Sequence, residues 1–137
     1  MKKLIISLLL CLGLSACSDT INGKSIAEPQ IAVFHSQLDA QQYDSIYDSA
    51  SDEFKNAASR EKMSQLLSAI NKKLGTVKSS KIVNWRVNTF NMKTNVILVS
   101  ETEFEKGTGT ETFTFRVSGS NANLMGYNIN SLDMMTQ

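Results

Sequence analysis

The spacing of apolar residues changes at Gly75, and this change restricts the possible folds more than any other feature of the chain. Before Gly75, apolar side chains recur every three or four residues, which is typical of amphipathic helices. After Gly75 they recur every two residues, as in Val83, Trp85 and Val87, which is typical of strands. A block of helices followed by a block of strands predicts an α+β fold.

Three helices are predicted before Gly75. Pro29 suits the first turn of the first helix, where a backbone N–H is not needed. Asp39 is expected to cap the second helix, and Ser59 to open the third, which ends at Gly75. Their apolar faces carry, in chain order, Ile31, Phe34 and Leu38; Tyr43, Ile46, Tyr47 and Ala50; and Met63, Leu66, Leu67, Ile70 and Leu74.

Four strands are predicted after Gly75, over residues 77–90, 95–106, 113–117 and 124–132. Short, turn-rich breaks separate them. Strands joined by so few residues must pair antiparallel, because parallel neighbours need a crossover of about a dozen residues or more. We therefore expect three N-terminal helices packed on a curved four-stranded antiparallel meander.

The amino terminus has the features of an export signal. After Met1-Lys2-Lys3, residues 4–14 are mainly apolar and would span about 16 Å as a helix, roughly half the hydrocarbon thickness of a bilayer. Leu14-Ser15-Ala16-Cys17 then resembles the lipobox of bacterial lipoproteins, an aliphatic residue and two small residues before a cysteine. The resemblance implies cleavage before Cys17 and acylation of its thiol. The alternative is an ordinary secretory signal with an accidental cysteine.

This interpretation divides the chain into a signal peptide (1–16), a lipidated cysteine with a short linker (17–25) and one domain (26–137). Ser18 follows the cysteine, where aspartate would be the inner-membrane retention signal in enterobacteria-like sorting. We therefore predict anchoring to membrane lipid through acylated Cys17, in the outer membrane and facing the periplasm.

A further resemblance concerns the domain itself. Phe34 to Leu38, residues 42–47 (QYDSIY), Leu74-Gly75 and residues 126–131 (GYNINS) are similar to small Gram-negative lipoproteins of unknown function. Those proteins have a nuclear transport factor two-like, or cystatin-like, cone fold. The resemblance implies a pocket between the helices and the sheet, in a superfamily that includes isomerases, dehydratases, binding modules and oligomerisation domains.

Four aromatic residues are candidates for lining such a pocket: Tyr43, Tyr47, Trp85 and Tyr127. Each offers an apolar ring with a polar atom. Side chains at these spacings more often belong to the core, so both interpretations stay open. His35, the sole histidine, is expected to be a partly exposed helix residue that a pocket could use as a polar contact.

The acidic residues do not form a recognisable catalytic or metal site. The resemblance implies that an isomerase would need a carboxylate base in the pocket, and we expect no acid on the apolar faces of the strands. Asp44 and Asp48 are expected at the surface. Glu101, Glu103 and Glu105 should share one solvated strand face. No histidine or cysteine joins them, which argues against zinc, and no cofactor is predicted.

Charge and hydrophobicity restrict the partners. The mature chain would keep twelve Lys and Arg against 13 Asp and Glu, a net charge of about −1, which does not favour nucleic acid. Ile97 and Val99 make one segment apolar on both faces, which suggests a sheet-to-sheet homodimer. Our leading hypothesis is a non-enzymatic module that binds an envelope protein or a small ligand. The alternative is an isomerase or dehydratase, which should place a buried acid or histidine with a perturbed pKa beside a tyrosine.

Overall fold

The computed structural model describes residues 18–136, with side chains from Asn22 onward. The predicted signal peptide (1–16) and Cys17 lie outside the described residues. The helices are α1 (Ser18–Ala27), α2 (Pro29–Asp39), α3 (Tyr43–Ser49), α4 (Asp52–Ala57), α5 (Arg60–Leu74) and α6 (Leu132–Thr136); the strands are β1 (Val77–Phe90), β2 (Lys93–Phe104), β3 (Gly107–Ser118) and β4 (Asn121–Asn130).

The strands form one antiparallel sheet in the order β1-β2-β3-β4, so each strand pairs with the next in the chain. The predicted α+β meander is confirmed, and the three predicted helices correspond to α2, α3 and α5. The hydroxyl of Ser59 accepts from the N–H of Lys62 at 3.3 Å, as expected of the cap of α5. Gly75 ends that helix with a φ of 78°, a conformation that favours glycine.

The first helix differs from expectation, because α1 includes the segment predicted as a linker. Its sequence has no apolar stripe, so its periodicity gave no helical signal. The helix instead packs through Gly23, where an added Cβ would lie 3.4 to 3.5 Å from side-chain atoms of Val87, Thr94 and Val96. The small glycine allows this close approach of α1 to β1 and β2.

Two other differences have local causes. Asp39 does not cap α3; it ends α2, and its carboxylate accepts from the N–H of Val77 at 3.1 Å. The extra helix α4 is capped by Ser51, whose hydroxyl accepts from the N–H of Phe54. Leu132, predicted as the end of a strand, begins α6.

One face of the sheet, here called the inner face, packs against the helices. Val96 and Leu98 of β2 pair with Phe115 and Phe113 of β3, and all four are buried. They meet buried side chains of the helices, including Phe34, Leu38, Leu67 and Ile70. On the outer face, Ile97 and Val99 are half-buried beside Thr114 and Thr112.

Between Ser18 and Thr136, no helix has the length and apolar character needed to cross a membrane.

Candidate ligand-binding site

A buried carboxylate, Glu111, lies at the centre of a polar cluster inside the core. It projects from the inner face of β3 and is fully buried. One carboxylate oxygen lies 2.7 Å from Nε2 of His35 and accepts from the hydroxyl of Thr102 at 2.6 Å. The other oxygen accepts from the hydroxyl of Tyr127 at 2.7 Å. We call these four residues the polar cluster.

The fold brings the cluster together from four separate elements. Glu111 shares the inner face of β3 with Phe113 and Phe115, because residues two apart on a strand point the same way. Thr102 and Tyr127 lie on the inner faces of the neighbouring strands. His35 reaches the carboxylate from α2, one helical turn after Ile31.

The carboxylate of Glu111 is fully engaged within the cluster. The hydroxyls of Thr102 and Tyr127 donate to it, and Nε2 of His35 makes the third contact at 2.7 Å. Burial of the Tyr127 hydroxyl raises its pKa well above the ordinary value, and the charge of Glu111 and their hydrogen bond add to this. Tyr127 is therefore protonated at neutral pH and donates to the carboxylate.

A cleft of about 460 Å³ opens between α2 and the β1–β2 part of the sheet, directly beside the cluster. We call it the α2–β1 cleft. Its lining combines apolar and polar side chains: Glu28, Ile31, Ala32, His35, Asp39, Val77, Ser80, Ile82 and Ser100. Because His35 belongs both to this lining and to the cluster, the cluster reaches the cleft through the imidazole.

Ser100 gives the cleft its most unusual feature. Its side chain is fully buried, and its hydroxyl has no hydrogen-bond partner among the described residues. An unpaired buried hydroxyl costs about 1 to 3 kcal/mol, so such groups are rare in folded proteins. His35 offers a second polar atom, because Glu111 engages Nε2 and leaves Nδ1 as the other ring nitrogen of this cleft-lining side chain. The cleft thus has two polar groups suited to a ligand.

Residues 32–124 match the model of DUF3887, a protein family of unknown function. The chain belongs to this family. The DUF3887 match begins within α2 and ends within β4, so it includes His35, Ser100, Thr102 and Glu111 and stops before Tyr127. No curated protein and no solved structure matches the chain.

The four aromatic candidates are dispersed over the DUF3887 chain. Of the four, only Tyr127 belongs to the polar cluster, and none lines the α2–β1 cleft. The hydroxyl of Tyr47 instead donates to the carbonyl oxygens of Lys55 and Ala58 at 3.3 and 3.2 Å, which links α3 to the α4 region. Tyr43 borders a shallow groove beside α5.

Trp85 lies on the inner face, paired with Leu98, but near the edge of the sheet. It remains 43% exposed, and the ammonium of Lys24 from α1 sits 5.9 Å from its ring centre. The periodicity of β1 alone did not say which face is inward. The pairing of β1 with β2 identifies the inward face, because Trp85 pairs with Leu98, and Val96 and Leu98 pack on the helices.

Two expectations about the polar residues were wrong. His35 is buried rather than partly exposed, because it lies four residues after Ile31 and three before Leu38, on the apolar face of α2. The expectation of no acid on the apolar strand faces overlooked Glu111. The alternation of Phe113 and Phe115, extended back by two residues, was the signal that could have found it.

The acids that the sequence placed at the surface are exposed, as predicted. Asp44 and Asp48 both bind Arg60, at 3.2 and 2.6 Å, and the hydrogen bond from Arg60 lowers the pKa of Asp48. Glu101, Glu103 and Glu105 are exposed as well. Glu103 pairs with Lys78 at 3.0 Å, and Arg116 of β3 binds Glu53 at 3.1 Å.

Two other clefts are weaker candidates for a ligand-binding site. A groove of about 1060 Å³ runs from β1 and β2 to α6, but the charged residues that the strands supply to it are exposed, and Lys78 and Glu103 there pair with each other. A cleft of about 320 Å³ lies between α2 and the β3–β4 turn. The single unpaired buried side-chain atom found among the described residues lines the α2–β1 cleft.

Proposed function

We propose that the chain is a lipid-anchored envelope protein that binds a small ligand in the α2–β1 cleft without transforming it. The lipobox-like motif that ends at Cys17 supports the anchor. Cys17 directly precedes the first residue of α1. The order of helices and meander agrees with the cone fold of the nuclear transport factor two-like superfamily, to which we propose the domain is related. Outer-membrane attachment facing the periplasm is part of the same proposal.

The unpaired hydroxyl of Ser100 carries the binding proposal. A buried hydroxyl without a partner is a free-energy cost that a bound polar group would remove. His35 lies in the same lining and is oriented by a carboxylate, which gives the ligand a second fixed contact. This arrangement is typical of ligand sites, where a few fixed polar groups lie among apolar walls.

The walls indicate what kind of molecule fits. Ile31, Val77 and Ile82 supply apolar surface, while Ser100 and His35, which are both buried, supply the polar atoms. We therefore propose an amphipathic ligand with a hydroxyl or amide N–H at one end, able to donate to Nδ1 of His35. A carboxylate would fit poorly beside the negative charge of Glu111.

The test is recovery of a bound compound from the full-length protein, purified in detergent from envelopes and analysed by native mass spectrometry. Ala32 is exposed and lines the cleft, so Ala32→Trp should fill it without disturbing the core. Ala57 is an equally exposed helix residue away from the cleft, and Ala57→Trp is the matched control. We expect an added mass with the wild type and Ala57→Trp that is absent from Ala32→Trp. The same mass in all three proteins would contradict the proposal.

An enzyme is the second candidate, favoured by the contact between Glu111 and His35. A carboxylate that holds Nε2–H makes the other ring nitrogen a better base, and Tyr127 lies beside this pair. Both oxygens of Glu111 are already occupied, so His35 would be the group that contacts a substrate. Incubation of the recovered compound with fresh protein separates the candidates. A product that forms with the wild type and not with His35→Gln would favour the enzyme.

Association with a second copy or an envelope protein stays a prediction. Ile97 and Val99 are half-buried on the outer face, beside threonines of β3. A homodimer through this face would cover them. Light scattering that gives a strict monomer at high protein concentration would contradict it.

A further inference from the structure

The turn that joins β1 to β2 exposes two large apolar side chains. Phe90 is 78% exposed and Met92 is 98% exposed. Asn91 and Met92 have φ values of 48° and 60°, as in the two-residue turns that match the twist of a hairpin. Such turns favour Asn and Gly, so neither turn geometry nor packing explains a methionine at this position.

This turn lies at the same end of the sheet as α1. Gly23 of α1 packs against Thr94 and Val87, and Thr94 pairs with Thr89, the residue before Phe90. Two strand residues span about 7 Å, so the turn lies close to α1. Since Cys17 is bonded to the first residue of α1, lipid on Cys17 would tie this end of the domain to the membrane.

Charge favours the same orientation. Between residues 84 and 98 the charged residues are Arg86 and Lys93, both basic. The exposed carboxylates of β2, Glu101 and Glu103, lie toward the opposite end of the sheet. The β1–β2 hairpin is therefore basic near its turn and apolar at its tip, while Glu53 of α4, at the same end, is paired with Arg116. Such a hairpin suits an anionic lipid surface, whose headgroups attract basic residues near the boundary.

We propose that Phe90 and Met92 insert into the headgroup–acyl boundary of the bilayer to which Cys17 anchors the domain. This proposal rests on the lipid anchor of the proposed function. The domain then has two attachments to the membrane, the acyl chains and the β1–β2 turn, and these hold one end of the sheet against the lipid.

The test places an environment-sensitive fluorophore at the turn of the full-length, processed protein. Met92→Cys gives a thiol for a nitrobenzoxadiazole label, because Cys11 leaves with the signal peptide and an acylated Cys17 has no free thiol. Ser79→Cys is the matched control, an exposed position on β1 near the end of the strand opposite the turn. Both proteins are reconstituted in phosphatidylethanolamine–phosphatidylglycerol vesicles with and without brominated acyl chains.

We expect brominated lipid to quench the label at residue 92 and to leave the label at residue 79 unchanged. Burial of the turn in a second copy or another protein would give a blue-shifted label that brominated lipid does not quench, and this result would overturn the proposal. Palmitate labelling of the same preparation separates two kinds of failure. Palmitate incorporation without quenching at residue 92 removes the turn contact alone. Absence of palmitate removes the anchor, and with it the turn proposal that depends on it.

Discussion

The imidazole of His35 lies 2.7 Å from the carboxylate of Glu111, although 76 residues separate them in the chain. His35 comes from the helical layer and Glu111 from the sheet, so this contact joins the two layers inside the core. Thr102 and Tyr127 complete the hydrogen bonding of the carboxylate from the strands on either side. The contact also fixes the ring of the one histidine that lines the α2–β1 cleft.

Replacement of Glu111 should destabilise the protein strongly. In Glu111→Gln the side-chain amide can no longer accept all three hydrogen bonds, so at least one buried donor is left unpaired. Loss of one partner from a buried charged network costs roughly 3 kcal/mol of unfolding free energy. Urea denaturation measures this loss. Glu101→Gln, an exposed acid on the neighbouring strand, is the control and should change the value by less than about 0.5 kcal/mol. Equal effects of the two substitutions would show that the cluster adds no stability.

Tyr127 should make the fold sensitive to alkali. Its pKa is raised in the folded protein, so the folded state holds this proton more tightly than the unfolded state. Its contribution is fully present below the unfolded pKa of about 10 and decreases as the pH rises from there toward the folded value.

Tyr127→Phe should remove this part of the loss of stability at alkaline pH. At neutral pH it should lower the unfolding free energy by about 1 kcal/mol, because its hydrogen bond is lost. Denaturation curves between pH 7 and 11 measure both effects. Tyr43→Phe removes a hydroxyl outside the polar cluster and is the control. A Tyr127→Phe protein with the same alkaline profile as the wild type would contradict the prediction.

Substitutions of Ser100 and Thr102 should change the unfolding free energy in opposite directions, although both residues lie buried on the inner face of β2. Ser100→Ala removes an unpaired hydroxyl and should raise the unfolding free energy of the ligand-free protein by about 1 kcal/mol. Thr102→Val removes a donor to Glu111 and should lower it by about 1 to 2 kcal/mol. Thermal denaturation of both variants tests the pair. Destabilisation by Ser100→Ala would mean that its hydroxyl already has a stabilising partner.

The two cysteines should behave differently on substitution. Cys17→Ser removes the thiol that we propose accepts diacylglycerol, so the precursor should no longer be cut at this position or incorporate palmitate. Cys11→Ser changes only the proposed signal peptide and should leave processing and acylation intact. Metabolic labelling with palmitate and gel mobility measure both outcomes. Normal processing and membrane fractionation of Cys17→Ser would contradict the lipoprotein assignment.

The parts of the fold that depend on neighbouring residues were predictable. Val77–Phe90 forms a strand over the predicted residues, since alternation is a property of the strand itself. Ser59 and Gly75 mark the ends of α5, because capping needs only a side chain or a positive φ at one position. The helix α1 was not predictable in this way. It has no apolar stripe of its own, and its packing depends on contact between Gly23 and strands more than sixty residues later.

The sequence by itself determined the order of helices and strands, the antiparallel meander and the resemblance of the first residues to a lipoprotein signal, because each follows from local spacing. Only the tertiary structure decided which charged residues are buried together. Strand pairing sets Glu111 between Thr102 and Tyr127, and the packing of α2 on the sheet brings His35 to the same carboxylate. Such contacts join residues far apart in the chain, so no pattern of neighbouring residues contains them.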